Sequence, residues 1–406
     1  MKKFVSLIVA LCVVIAIFVA CGGGGGKVEQ KSVLKSVENK NIIEIGVFEP
    51  LSGKNSEGGI QETLGIQYAN SICPTVDVKG VTYDIKLVEA DNLSSEAGAV
   101  SAAESLVNAG VCAAIGSYGS ALSIAGGEIF DKAGIPIVGA SCTAPEVTVG
   151  NKSYFRISYL DSFQASVMAK FAFDKGLRDA AIMSNSDDKC EAGLVRAFKK
   201  EFTDLGGRTE EFTYPKSQSN FDPLLRKIKS SEADFVFSPS AVSAAPLIIK
   251  QARSNGLNFP FLGCDTWDTS FVVKKLNTYG KNVFFCSGFN QDSTDVPETA
   301  EFAALFSAWL NETKSRIEDN GGSDSVAPAS ALAYDAYMAI IEAIKSAEST
   351  DAKAIAAALP AVTMKGVTGE IAFDENGDAG KYTAYIKTLN SSKNSTEVLQ
   401  SISVGK

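Results

Sequence analysis

From Asn41 onward the chain alternates short apolar runs with amphipathic stretches of helical period. This rhythm restricts it to a mainly parallel sheet covered by helices on both faces. The first cycle reads as a strand Asn41 to Phe48, a turn-rich loop Glu49 to Gly59 and a helix Ile60 to Ile72. A strand Tyr83 to Glu89 follows, then a helix capped by Ser94 or Ser95 and ended by Gly110. After a strand at Tyr154 to Ser158 the rhythm restarts. Helices at Ser162 to Lys175, Cys190 to Leu205, Pro223 to Ser230, Ala244 to Ser254 and Thr269 to Lys275 alternate with strands at Ala180, Thr209, Asp234, Pro260 and Val283. Two doubly wound units are expected. With 45% hydrophobic and 21% charged residues in 406, the composition is that of a globular chain long enough for two domains at roughly 100 to 200 residues each. Long helices at Glu298 to Glu312 and Val326 to Ser346, a short one at Asp351 to Leu359, and a hairpin of Gly369 to Phe373 with Tyr382 to Leu389 complete the reading.

The stretch from Val111 to Glu146 carries the most chemistry. A buried strand (Val111 to Gly116) runs into a Ser/Gly turn and a helix opening at Ser120; a second strand (Pro136 to Ala140) ends in Ser141-Cys142-Thr143. In open α/β sheets ligands sit beyond the carboxyl ends of strands, where helix-start N–H groups favour an anion. Ser120 and Thr143 are expected to face one crevice.

The chain contains no histidine. This removes Ser-His-Asp and Cys-His mechanisms and the usual His-containing zinc sites. The eight cysteines include no C-x-x-C pair, so zinc-ribbon and thioredoxin-type chemistry is unsupported, and no metal or cofactor is expected. An acidic turn, Asp374-Glu375-Asn376-Gly377-Asp378, lacks the closing Glu of an EF-hand. The formal net charge of −9 argues against a nucleic-acid partner, which needs clustered cations. At the N-terminus, Met1-Lys2-Lys3 and the apolar run Phe4 to Ala20 read as a secretory signal, with a transmembrane anchor as the alternative, since about 17 apolar residues is near the minimum for a span. Removing residues 1–20 takes away Lys2 and Lys3 and leaves a net charge of −11. Phe18-Val19-Ala20-Cys21 resembles a bacterial lipoprotein box, with Phe18 where Leu is usual and Cys21 as the lipidated residue. Residues 21–40, starting with Gly22 to Gly26, supply a flexible tether. The remainder is expected outside the cytoplasmic membrane, in the periplasm or on the cell exterior.

Taken in order, SGKNSEGG, IGSYGSALS, GASCTAPE, SDDKCEAGL, KQARSNGL and FLGCD resemble the branched-chain amino acid (Leu/Ile/Val-type) binding proteins of bacterial ABC transporters. The likeness runs from about Asn41 to Leu389 and rests on the order and spacing of the set. It implies a type I periplasmic-binding-protein fold, an α/β architecture of two Rossmann-like lobes joined by three hinge crossovers. Lobe one is then 41–160 with 291–364, and lobe two 161–290 with 365–406. The implied function is non-enzymatic: capture of an amino acid between the lobes and delivery to an ABC permease.

By the same resemblance, Ser120 binds the ligand carboxylate with backbone N–H groups of the Tyr118-Gly119 turn. Thr143 hydrogen-bonds the head group, Ser141 offers a carbonyl to the ammonium, and Asp265 stands where the family carries a carboxylate, commonly Glu, for that ammonium. Three aromatic positions of aliphatic-binding relatives are replaced here, by Gly58, Cys190 and Ala241, so the side-chain pocket is reshaped. Tyr118 and Trp267 are expected as replacement surface, and Cys142, Cys190 and Cys264 as small apolar filler in or beside the cleft. Two rival readings share the fold. A ligand-sensing subunit would use the same cleft, and an amidase would use Asp187 and Asp188 beside Asp265.

Overall fold

The computed structural model describes residues 41–403. The expected signal peptide, Cys21 lipidation site and tether lie outside the described residues. Among those described, no helix is long and apolar enough to cross a membrane.

The first series comprises β1 (Ile42–Glu49), α1 (Ser56–Ile72), β2 (Thr75–Val78), β3 (Val81–Asp91), α2 (Glu96–Ala109), β4 (Ala113–Gly116), α3 (Ser120–Ala133), β5 (Ile137–Gly139) and β6 (Tyr154–Arg156). Its strands form one sheet in the order β2-β3-β1-β4-β5-β6. Every pairing is parallel except β2 with β3. Ser95 starts α2 by accepting the Gly98 N–H at 3.1 Å, and Gly110 ends it in the left-handed region at φ 80°; both ends follow from local chemistry. The strand expected at 83–89 is the longer arm of a hairpin that turns at Lys79-Gly80, where both residues have positive φ. The shorter arm, with alternating buried Val76 and Val78, escapes notice because only two of its residues are apolar.

The second series comprises α4 (Asp161–Asp174), β7 (Asp179–Asn185), α5 (Lys189–Asp204), β8 (Arg208–Tyr214), α6 (Asp222–Ser230), β9 (Phe235–Phe237), α7 (Ala245–Ser254), β10 (Phe261–Gly263), α8 (Ser270–Leu276) and β11 (Val283–Ser287). The chain then returns to the first sheet with α9 (Pro297–Asn311), α10 (Lys314–Asp319), α11 (Pro328–Ala347), α12 (Ala352–Ala358), β12 (Thr363–Gly366) and β13 (Gly369–Ala372). It ends on the second sheet with β14 (Thr383–Asn390) and β15 (Ser395–Ser403), whose order is β15-β14-β11-β10-β9-β7-β8. The expected hairpin of 369–373 with 382–389 does not form. β13 pairs with β12, while β14 pairs with β11 and β15. Ile371, Phe373 and Ala379 bury in the first lobe's core beside Ile45 and Ile340, so the final crossover falls after Ala379 rather than at 365. β15 is a polar edge strand with Ile402 as its one buried residue, which hides it from a hydrophobic-pattern reading.

Each lobe has its own core. In the second, Phe198 stacks on Phe237 with ring centroids 3.8 Å apart; in the first, α11 crosses α1 so closely that a Cβ on Gly65 would lie 2.1 Å from the Ser330 carbonyl oxygen. The lobes also touch at one edge. Thr269 Oγ1 donates to Gln61 Oε1 at 3.2 Å, Ser270 Oγ to the Asn320 carbonyl at 2.6 Å, and Lys275 pairs with Glu57. Apolar strand cores set the lobes, and polar contacts join them, which suits surfaces that must part.

Candidate functional site

A cavity of about 460 Å³ lies between the lobes, within the range of roughly 300–1,000 Å³ usual for small-ligand sites. It is lined at the carboxyl ends of β4 and β5 by Tyr118, Gly119, Ser120, Ser141 and Thr143. From the other lobe come Asn185 and Asp187–Glu191 after β7, Ala241 after β9 and Asp265 after β10. Parallel strands deliver their carboxyl ends to one side of each sheet, which is why residues far apart in sequence converge here.

Ser120 opens α3 after Gly119, whose φ of 99° is a left-handed value that glycine adopts freely. Its Oγ accepts the N–H groups of Thr143 and Ala144, both at 3.2 Å. A hydroxyl with both lone pairs engaged retains only its proton to offer, so its remaining partner must be an acceptor such as a carboxylate. The Ser120 and Ala121 N–H groups at this helix start have no acceptor among the described residues. Ser141 spends its hydroxyl on Glu62 and lines the same wall. The Thr143 carbonyl accepts the Asp161 N–H at 2.9 Å, which sets the Thr143 side chain beside the Asp161 carboxyl.

The facing wall is acidic. Asp265 has its carboxyl pushed up to about 7 by burial and by nearby Asp161, against the Thr266 N–H and the Gln164 amide; its own N–H donates to Gln164 Oε1 at 3.4 Å. Burial also raises Asp161, which accepts Gln164 Nε2 at 2.8 Å. Glu191 is pushed up to about 8, chiefly by burial. Among the described residues no lysine or arginine nitrogen lies within 4.0 Å of these three carboxyls. A desolvated carboxyl without a counter-ion retains its proton more strongly, and a ligand cation reverses that preference.

Behind the first wall sits a second acid pair. Glu49 and Glu62 are fully buried; Glu49 Oε2 accepts the Tyr118 N–H at 2.8 Å and Glu62 takes both the N–H and the hydroxyl of Ser141. Burial and each other's proximity raise Glu49, and burial pushes Glu62 up to about 7. The pair holds the backbone of the two turns that carry Tyr118 and Ser141.

Ser120, Tyr118, Gly119, Ser141, Thr143, Cys190, Ala241 and Asp265 all line the one cavity. Three expected residues do not. Trp267 is fully buried, its indole N–H donating to the Ser240 carbonyl at 2.8 Å and its ring filling the space a Cβ on Gly263 would need. Cys142 packs into the first lobe's core with Phe48, Phe130 and Tyr154. Gly58 lies beneath the Tyr118 ring, which passes where its Cβ would stand; the tyrosine occupies the place of the missing side chain. All six described cysteines are free, and burial pushes the Cys190 thiol up to about 12, which leaves it an unreactive apolar surface. Sequence reasoning missed Asp161, Gln164 and Glu191. Each sits in the first turn of a helix, where Asp and Glu are expected for helix-dipole reasons alone and a Gln is unremarkable, so their shared cavity is visible only in three dimensions.

Two doubly wound lobes, closed over a ligand-sized cleft with donors on one wall and acids on the other, define the class of two-lobed binding proteins. The chain matches the periplasmic binding protein family over residues 42–394 and belongs to it. It is 25% identical over 361 residues, 88% of this chain and 92% of the relative, to the leucine-, isoleucine-, valine-, threonine-, and alanine-binding protein of Pseudomonas aeruginosa. The leucine binding protein LivK from Thermotoga maritima superposes with a TM-score of 0.81 at 26% identity, covering 89% of this chain and 99% of that one. LivJ from Streptococcus pneumoniae, solved with isoleucine, gives 0.78 at 25% identity over 90% and 99%.

Proposed function

We propose that this protein is an extracytoplasmic solute-binding lipoprotein, anchored through Cys21, that captures an amino acid between its closing lobes and presents it to an ABC permease. The observation that carries this reading is the polarity of the cleft. Ser120, limited to donating its proton, stands on one lobe with Asp265, desolvated and without a counter-ion, on the other. A zwitterion satisfies both poles at once, and only a ligand touching both lobes favours the closed form. Amino acid ligands of the similar proteins named above agree with it. Asp187 and Asp188, the carboxylates an amidase would need, are spent on structure. Asp187 accepts the Lys216 N–H at 2.8 Å, and Asp188 caps α5 through the Cys190 and Glu191 N–H groups.

The reading is tested by isothermal titration calorimetry against the twenty amino acids. Ser120→Ala and Asp265→Asn are each expected to weaken binding by roughly 1.5–3 kcal/mol, the range for a hydrogen bond to a charged group. Wild-type affinity in both variants would refute the head-group assignment. Loss of membrane association in Cys21→Ser, followed by cell fractionation, tests the anchor.

A further inference from the structure

The head group of an amino acid needs one carboxylate partner for its ammonium, yet six second-lobe carboxyls line the cavity; with Asp268, paired with Lys387, and Asp187, bound to the Lys216 N–H, set aside, four remain: Asp161, Asp188, Glu191 and Asp265. No lysine or arginine nitrogen lies within 4.0 Å of any of them among the described residues. None of the lysines that line the cavity pairs directly with these carboxyls, although Lys54 acts on Glu191 from a distance. Lys54, Lys189 and Lys216 are exposed, and Lys381 donates to the Thr368 carbonyl and hydroxyl and to the Glu370 carbonyl. Asp161 and Asp265 are bound together through Gln164 and form one acidic subsite with Thr143. Glu191 belongs to a different part of the wall. It is held by backbone N–H groups from two loops, Asn185 at 2.8 Å and Ala241, and its chain neighbour Cys190 packs toward the core around α3.

This arrangement fixes where the carboxyl sits without neutralising it. The side chains next to Glu191 along the chain and the wall are mixed: Cys190 and Ala241 are small, and Leu194 and Val242 are apolar. Tyr214, 4% exposed, lies behind this wall near Glu191 and Asp188 and does not itself line the cavity. A purely aliphatic side chain placed against Glu191 would take further water from a carboxyl that no cation within 4.0 Å balances among the described residues, which costs more than the apolar contact returns.

We propose that the ligand is an α-amino acid whose side chain ends in a second cationic group, an ammonium or a guanidinium, received by Glu191. This deepens the amino acid reading above and rests on it. The Asp161–Asp265 subsite holds the α-ammonium, the Ser120 turn holds the carboxylate, and Glu191 selects at the far end. Loop stapling alone accounts for the Asn185 and Ala241 bonds; it does not account for a desolvated carboxyl lining the cavity with no cation against it. The groups around Glu191 are Asp188 at the cap of its own helix, Lys54 from the first lobe, Tyr214 in β8 and Cys264 after β10; Lys54, exposed and more than 4.0 Å away, is the one positive charge among them.

The experiment titrates the full protein with L-lysine, L-arginine, L-leucine and L-norleucine, the last matching the lysine side chain in length without its charge. Lysine or arginine is expected to bind at least tenfold more tightly than norleucine, and Glu191→Gln is expected to reduce that ratio at least tenfold. A second measurement needs no variant. Titration at pH 7 in buffers of different ionisation enthalpy is expected to show more proton release with lysine than with norleucine, because a cation against Glu191 lowers a carboxyl pKa that burial holds at about 8. Leucine or norleucine binding more tightly than both basic amino acids would overturn the proposal while leaving the head-group reading intact. A preference that survives in Glu191→Gln, or equal proton release, would also overturn it. Failure of every amino acid to bind would remove both readings together.

Discussion

Arg156 offers the sharpest test of how the cleft is built. It is fully buried, and its guanidinium donates through Nε and Nη2 to Asp378 Oδ1 at 2.9 and 2.6 Å. It also donates to the Ala144 carbonyl at 2.6 Å, the Cys142 carbonyl at 3.4 Å and Thr148 Oγ1 at 3.0 Å. The two carbonyls flank Thr143, so this one side chain suspends the binding loop, and the acidic turn of Asp374 to Asp378 supplies its counter-ion. Asp378→Asn keeps the shape and removes the charge. Breaking a buried pair from one side costs about 3–5 kcal/mol, because the remaining charge is left uncompensated. The three acceptors that stay in place should hold the loss near the lower limit, about 3 kcal/mol. In a body of this size that corresponds to a fall in Tm of roughly 4 °C. The assay is thermal unfolding with amino acid titration beside it, and affinity is expected to drop as the Cys142–Ala144 backbone loosens. A double variant, Arg156→Met with Asp378→Asn, should be less destabilised than the sum of its parts by at least about 1 kcal/mol. Stability within about 0.5 kcal/mol of wild type in Asp378→Asn, the range of an ordinary surface change, would refute the reasoning.

Other consequences follow from the buried acids and from Tyr118. Glu62, held at about 7 against an ordinary 4.5, has a folded-state pKa above its unfolded one. Its contribution is therefore complete below about 4.5 and is lost as pH rises through about 7. Glu49, Asp161, Asp265 and Glu191 are shifted in the same direction, so the ligand-free protein should melt at a higher temperature at pH 5.5 than at pH 8, and Glu62→Gln should flatten the difference. Amino acid affinity should follow the opposite course, rising between pH 5.5 and pH 8 as Asp265 ionises, with calorimetry across that range as the check. Gly58→Ala places a Cβ 2.3 Å from Tyr118 Cζ. Ring displacement should outweigh the gain of about 0.5–1 kcal/mol that Ala brings to a helix, lowering both stability and affinity; unchanged values for both would show that the ring yields freely.

The fold class was legible because its cause is local and repeated. Apolar runs buried on both faces, such as Ala113–Gly116, leave a parallel sheet as the one arrangement that satisfies them, and Ser95 and Gly110 mark helix ends through their own side chain or lack of one. The β2 arm and β15 were not legible, because each is an edge strand whose stability comes from its partner's hydrogen bonds rather than from apolar pattern. The partner of Gly369–Ala372 was misread for a related reason. Two short strands near an acidic turn look like a hairpin until Arg156 claims Asp378 and draws the turn into the first lobe.

The binding wall divides along the same line. Ser120, Thr143 and Asp265 stand at strand ends, and a strand end in an open sheet has a foreseeable address, so their meeting in one cleft follows from order along the chain. Trp267 and Cys142 have the same address and yet turn inward, since an indole beside Gly263 and a thiol beside Gly139 gain more by filling core space than by facing water. Asp161, Gln164 and Glu191 carry no mark that separates them from ordinary helix-start residues. Their role arises when two lobes close and strip water from carboxyls that have no partner of their own, a property of the enclosed space that no stretch of chain possesses alone.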